Sequence, residues 1–221
     1  MPRPQRVKIP VTEELTVIGT YYPVNTADQT AVILIHALGR NRGDWNNLAR
    51  YLQREGISAL SIDLRGHGES IAADRRGWRV FQEQDYAVLD ADLEAVLRYA
   101  EQNFKFKIEQ TGLLGIALGA NLALHLAERN PRIAGVVLLS PGLDYKGVLL
   151  QNQNYHKALY VICSSFEKIS LAAGDYLKGK FTGKLKMDVY DYSGTIISLF
   201  RQRFTLPENI AGWFKQVFTD I

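Results

Sequence analysis

Residues 111–122 read TGLLGIALGANL, and they restrict the fold more than any other stretch of the chain. An apolar strand runs into a turn with glycine at both outer positions, Gly115 and Gly119, and a helix leaves it. A strand joined so tightly to a helix belongs to a βαβ unit, and such units build mostly parallel sheets with right-handed crossovers. The frame G-x-S-x-G would place a nucleophilic serine at the centre of such a turn, and this chain has Ala117 there. A methyl group cannot attack a carbonyl.

The rest of the chain repeats the alternation. VKIPVT (7–12) and LTVIGTYYPV (15–24) have the pattern of an opening antiparallel pair. AVILIHAL (31–38) is a continuous apolar run, as expected of a strand buried on both faces. Trp45, Leu48, Ala49 and Leu52 share one helical face behind Asp44, the expected N-cap, with Gly56 as the expected stop. SALSIDL (58–64) is the next strand, and Leu89, Leu93, Val96, Leu97 and Ala100 mark a long amphipathic helix. The helix that leaves the glycine turn stops before Pro131. Residues 133–140, 158–165 and 184–192 supply further strands, and 207–220 a closing helix with proline near its first turn. The expectation is a single α/β domain over residues 1–221. Its mostly parallel, twisted sheet has about eight strands, with helices on both faces.

Charge and composition exclude little but point one way. The net charge is +3, with basic residues scattered apart from Lys178, Lys180, Lys184 and Lys186, which read as a solvated loop flanking a strand. Aromatic residues do not interleave with these lysines in a known nucleic-acid pattern, so nucleic acid is not an expected partner. Cys163 is the only cysteine and lies in an apolar run, as a buried thiol does. The first residues carry no apolar signal region, and no stretch is long enough to cross a bilayer; a soluble, cytoplasmic protein without membrane contact is expected. H-E-x-x-H and C-x-x-C patterns are absent, and so is the Lys-Ser/Thr of a phosphate loop, so neither a metal nor another cofactor is expected.

Three segments together resemble the α/β-hydrolase superfamily. His36-Ala37-Leu38-Gly39 resembles its oxyanion loop, Asp63 to Ser70 its D-x-R-G-H-G-x-S segment, and Gly115 to Gly119 its nucleophile elbow. Ser140-Pro141-Gly142-Leu143-Asp144-Tyr145 is similar to small, lidless members of the dienelactone-hydrolase or carboxylesterase kind. About eighteen residues separate the sixth strand from the seventh, which leaves no room for a cap domain, and a shallow, open pocket is expected.

The resemblance implies a Ser–acid–His triad, in which a base removes the serine proton and a carboxylate holds the histidine. Here the nucleophile position is Ala117. The acid position falls by spacing on Phe166, and a one-residue shift supplies Glu167. The histidine slot after the last strand holds Ser193. The four histidines are His36, His67, His125 and His156, and none follows residue 156. His156 precedes the seventh strand, on the edge of the sheet opposite the one where ligands gather. His125 lies in mid-helix, and His36, Arg65, His67 and Ser70 read as loop-ordering residues.

What the resemblance leaves is a pair of oxyanion-hole-like backbone donors, the N–H of Leu118 at a helix N-terminus and that of Leu38 in the oxyanion loop. His36, Ala37, Trp78, Tyr145 and Tyr192 are the pocket candidates, with Phe81 at the rim. The expected function is a hydrolase-fold protein that has lost Ser–His–Asp catalysis and binds an unidentified small molecule or protein. The alternative is a serine carboxylesterase or acyl hydrolase in which alanine replaces a catalytic serine at position 117.

Overall fold

The computed structural model describes residues 1–25, 30–72, 76–193, 198, 200 and 205–220. Ten strands are found among them: β1 (Gln5–Pro10), β2 (Thr16–Tyr22), β3 (Ala31–Ile35), β4 (Ser58–Ile62), β5 (Thr111–Ile116), β6 (Gly135–Leu139), β7 (Asp144–Tyr145), β8 (Val148–Leu149), β9 (Ala158–Ser164) and β10 (Lys184–Tyr190). The helices are α1 (Asn46–Arg54), α2 (Glu83–Ala87), α3 (Leu89–Phe104), α4 (Leu118–Arg129), α5 (Lys168–Lys180) and α6 (Thr205–Thr219).

Eight strands form one sheet in the order β1-β2-β4-β3-β5-β6-β9-β10. β2 pairs antiparallel with both β1 and β4, and every pair from β4 to β10 is parallel. The central strands are buried at every position, as their unbroken apolar runs require: AVILI in β3, TGLLGI in β5 and GVVLL in β6. Helices cover both faces. One core gathers Leu89, Leu93 and Val96 of α3, Leu122 and Leu126 of α4, and Leu177 of α5. The other gathers Leu48 and Leu52 of α1 with Ile210 and Phe214 of α6. The chain leaves β3 toward β4 on one side and later returns past β3 to β5 on the other. The loops after β3 and β5 therefore part, and a crevice opens at the carboxyl edge between them.

Local chemistry departs from the sequence pattern in three places. Asp44 is not the N-cap of α1. A 3-10 turn, Arg42–Trp45, precedes that helix, and Asn41 caps it by accepting from the Gly43 N–H at 2.9 Å. Asp44 instead holds the Arg40 guanidinium. The stretch between β6 and β9 contains a short hairpin, β7–β8, in addition to the strands expected from the apolar runs. The lysine cluster is not a loop: Lys178 and Lys180 end α5, and Lys184 and Lys186 lie on the edge strand β10. Three of them face acids, Asp175, Asp220 and Asp188 respectively for Lys178, Lys184 and Lys186. Cys163 is buried, and burial pushes its thiol up to about 11. No helix among the described residues is long and apolar enough to cross a membrane.

Candidate functional site

The turn between β5 and α4 is built by exclusion. A Cβ on Gly115 would lie 1.9 Å from the Gly119 carbonyl oxygen, and one on Gly119 would lie 2.5 Å from that of Ile35. Only glycine lets α4 start so close beneath β5 and β3. Between them Ala117 takes φ 51 and ψ −118. That region suits glycine and costs an L-residue about 1–3 kcal/mol. The Ala117 N–H still donates to Leu139 O at 2.9 Å, extending the ladder to β6 by one residue before the chain turns. The result is the sharp bend of a nucleophile elbow, presenting a methyl group.

A cavity of about 840 Å³ lies over that methyl. Its walls come from the loop after β3 (Ala37, Leu38, Arg40), from Ile116 and Ala117, from Ser140 and Tyr145, from the start of α5 (Phe166 to Ser170) and from Ser198. The N–H groups of Leu38 and Leu118 donate to no protein acceptor among the described residues. Leu118 opens a helix of 12 residues, so its N–H carries the positive end of the helix dipole.

Of the two positions considered for the acid, Glu167 is the one that brings a carboxylate to the cavity. After β9 the chain turns on Ser164, whose hydroxyl accepts from the Phe166 N–H at 3.1 Å and whose carbonyl accepts from the Glu167 N–H at 3.1 Å. That turn leaves the Phe166 ring 63% exposed at the rim. The Glu167 carboxylate accepts the Ser140 hydroxyl at 2.5 Å. Ser140 sits next to the elbow because Ile116 and Leu139 are paired across β5 and β6. It has φ 45, and its carbonyl accepts from the Tyr145 hydroxyl at 3.2 Å. Ser193, the residue in the histidine slot, is exposed and outside the cavity lining.

All four imidazoles are occupied elsewhere. His36 Nε2 accepts from the Leu64 N–H at 2.9 Å and its Nδ1–H donates to Ala37 O at 2.7 Å, which fixes a neutral ring. Burial lowers its pKa to about 4. His67 does the same for its own loop, accepting from the Gly39 N–H at 3.0 Å and donating to Arg65 O at 2.8 Å. Burial lowers its pKa as well. His125 points one nitrogen at the Asp90 carboxylate and the other at Leu149 O, 2.6 Å away. Both neighbours are acceptors, so the imidazolium is the form that satisfies them. Burial opposes the charge, but the bonds to Asp90 and Leu149 prevail and raise the pKa. His156 lies just before β9, at the opposite edge of the sheet from Ala117, and bonds to Thr182 Oγ1 at 2.7 Å.

Three pocket candidates therefore need correction. His36 is fully buried behind the loop after β3 and does not line the cavity. Trp78 is withheld because its ring stacks on His67 at 5.8 Å, with planes 9° apart. Tyr192 also stays outside the lining and reaches it only through Ser198, its hydroxyl lying 2.8 Å from that of Ser198. Phe81, the rim candidate, packs edge-on against His67 and Tyr86. Ala37, Leu38 and Tyr145 do line the cavity. Ser140 was not among the candidates; a hydroxyl residue at the carboxyl end of a strand next to the elbow was the available signal.

The D-x-R-G-H-G-x-S segment is structural throughout. Asp63 is fully buried and accepts from the backbone of Arg42 (2.7 Å) and Glu69 (2.9 Å) as well as the Arg42 guanidinium. Arg65 clasps Asp92 through two 2.7 Å bonds, and Ser70 Oγ accepts from the Ile18 N–H at 2.8 Å. Among the described residues, no group of three His, Cys, Asp or Glu side chains converges as a metal site.

Known proteins bear on this geometry in two ways. The chain is similar in fold to an esterase from Pyrococcus furiosus, with TM-score 0.75, 17% identity, and coverage of 98% of this chain and 91% of the esterase. It is also similar to the dienelactone hydrolase of Anabaena variabilis, with TM-score 0.71, 18% identity, and coverage of 97% and 99%. In sequence it is 26% identical over 144 residues to the polyketide transferase grgF of a Penicillium species, covering 64% of this chain. The match takes in 46% of the transferase, so the chain spans about half the length of that relative. The model of the family described as serine aminopeptidase, S33, matches residues 26–192. Those residues run from ahead of β3 through the elbow and on past β10, most of the chain, and on that match the chain belongs to this family of α/β hydrolases.

Proposed function

We propose that this chain is a non-hydrolytic member of its family, a pseudoenzyme whose elbow cavity holds a small molecule. One observation carries the reading: Ala117 stands at the elbow, and each of the four imidazoles is held by other partners away from it. Serine hydrolysis needs a nucleophile and a base that removes its proton, and neither side chain stands over the cavity among the described residues. The oxyanion-side geometry does not depend on those side chains. The N–H groups of Leu38 and Leu118 remain as donors for a ligand carbonyl, and the cavity walls supply apolar contact through Leu38, Ile116, Phe166 and Ile169. The relatives' names (esterase, dienelactone hydrolase, polyketide transferase) suggest a carbonyl compound as the ligand class.

Glu167 favours a second reading. A carboxylate faces the cavity, as in a serine carboxylesterase whose serine has been replaced at position 117. Turnover of p-nitrophenyl acetate and butyrate separates the two. We expect none above background from the chain as it stands, and none from Ala117→Ser, because a serine without a base stays protonated at neutral pH. Robust hydrolysis by Ala117→Ser alone would replace the first reading with the second. Hydrolysis by the unaltered chain, lost when a cavity residue is changed, would refute both.

A further inference from the structure

Several carboxylates near the carboxyl edge of the sheet are matched with cations. Asp63 has Arg42, Glu69 has Arg6 and Arg42, Asp85 has Arg76, and Asp92 has Arg65. Glu167 has no cation, like Asp191 after β10, which takes the Ser165 hydroxyl, and Glu167 is the one carboxylate among the described residues that line the cavity over Ala117. Its Oε2 takes the neutral Ser140 hydroxyl. Its Oε1 has no hydrogen-bond partner, and no ion pair reaches the carboxylate, among the described residues. Two cations share the lining without pairing with it. Arg40 is engaged by Asp44 through Nε at 2.7 Å, and Lys168 opens α5 as an exposed residue.

In a working triad this carboxylate would face an imidazole that becomes positive during the reaction. None of the four imidazoles stands there, so among the described residues the negative charge is presented to whatever fills the cavity. Apolar surface flanks it on both sides. Phe166 and Ile169 are 63% and 66% exposed, and Tyr145 lies against Ser140. The pair is held in place from behind, since Ser140 is tied through its carbonyl to Tyr145 and through its N–H to Ile162.

We propose that the cavity takes a ligand carrying a protonated amine on an apolar body, with the ammonium seated on the free oxygen of Glu167. The inference rests on reading this cavity as a binding site, and it names the chemistry of the ligand. An ammonium on a carboxylate is a charge-assisted bond, and nearby aromatic faces favour a cation further. A neutral head of the same shape loses that assistance.

The test compares one body with three heads: 3-phenylpropylamine, 3-phenyl-1-propanol and 3-phenylpropanoate, titrated at neutral pH into isotope-labelled protein and followed by NMR shifts. The amine is expected to bind about ten-fold or more tightly than the alcohol, and more tightly than the carboxylate. Glu167→Gln should bring the amine down to the level of the alcohol and leave the alcohol unchanged, and the spectrum of the variant reports that it is folded. The proposal is overturned if the alcohol or the carboxylate binds as tightly as the amine, in which case the cavity remains a binding site of other chemistry. Amine binding that survives Glu167→Gln also overturns it, and so does a failure of all three probes to bind. Failure of the underlying non-hydrolytic reading shows separately, as ester turnover by the unaltered chain.

Discussion

Ala117 holds a backbone conformation that only a glycine adopts freely, and without a serine nothing at that position depends on keeping a side chain there. Replacing it by glycine should therefore stabilise the protein. The conformation at φ 51 and ψ −118 is the one found at the first central residue of a type II′ turn, where glycine is preferred. Relief of the strain is worth about 1–3 kcal/mol. Against this stand about 0.4–1 kcal/mol for the added freedom of the unfolded chain and part of the roughly 0.8 kcal/mol of one buried methyl, since Ala117 is half-buried. The balance is a gain of about 1 kcal/mol, or about 2–4 °C in Tm for a chain of this size. The control lies two positions further along, at the same helix start. Gly119→Ala would push its Cβ to within 2.5 Å of Ile35 O and 2.6 Å of His36 O. Those backbone carbonyls end a central strand and cannot give way, so a loss of about 3 kcal/mol or more is expected. Urea denaturation and scanning calorimetry read both. If Ala117→Gly destabilises the protein by 1 kcal/mol or more, on the order of the whole compensating cost, the elbow is unstrained and this account of it is wrong.

Rebuilding the chemistry needs a base more than an acid. Ala117→Ser with Ser193→His, leaving Glu167 and Phe166 untouched, should give weak ester hydrolysis that Glu167→Gln removes; activity indifferent to Glu167→Gln would show that the carboxylate does not orient the new imidazole. His36 is held neutral with a pKa of about 4, below its unfolded value of 6.5, so its contribution is complete above 6.5 and is lost as pH falls toward 4. That loss amounts to about 3 kcal/mol at most, and a denaturation series between pH 7 and 4 should lose the corresponding slope in His36→Asn. His125 carries the opposite sign: its raised pKa makes its contribution complete below the unfolded value and lost as pH rises through the folded one. His125→Asn should accordingly cost about 1 kcal/mol more at pH 6 than at pH 9, and an equal cost at both would refute the imidazolium assignment.

The sheet was legible because its signals are strong and local. Unbroken apolar runs marked β3, β5, β6 and β9, and Gly115 and Gly119 marked the elbow, since no other residue fits those two positions. The start of α1 was not legible. A capping residue is recognised by type, and Asn41 and Asp44 are equally good types; what decided between them was a 3-10 turn and the Arg40 guanidinium drawing Asp44 aside. Counting placed the acid on Phe166 or Glu167 without choosing, because the choice depends on how tightly the chain turns, and that is set by Ser164. Of the aromatic candidates Tyr145 lines the cavity, and two others stay out for a related reason. Trp78 and Tyr192 are brought near the crevice by topology, but whether a ring enters it depends on its partner, and His67 and Ser198 hold these two outside.

The two glycines of the elbow have a consequence for how such a site changes over time. Each is locked by contact with the scaffold, so altering either one breaks the domain itself. The residue between them is half-buried, with its methyl against the core on one side and the crevice on the other. Alanine and serine codons differ by a single base. The side chain at this bend can therefore pass between serine and alanine in one mutational step, while hydrolysis also needs a base, and all four imidazoles of this chain are held elsewhere.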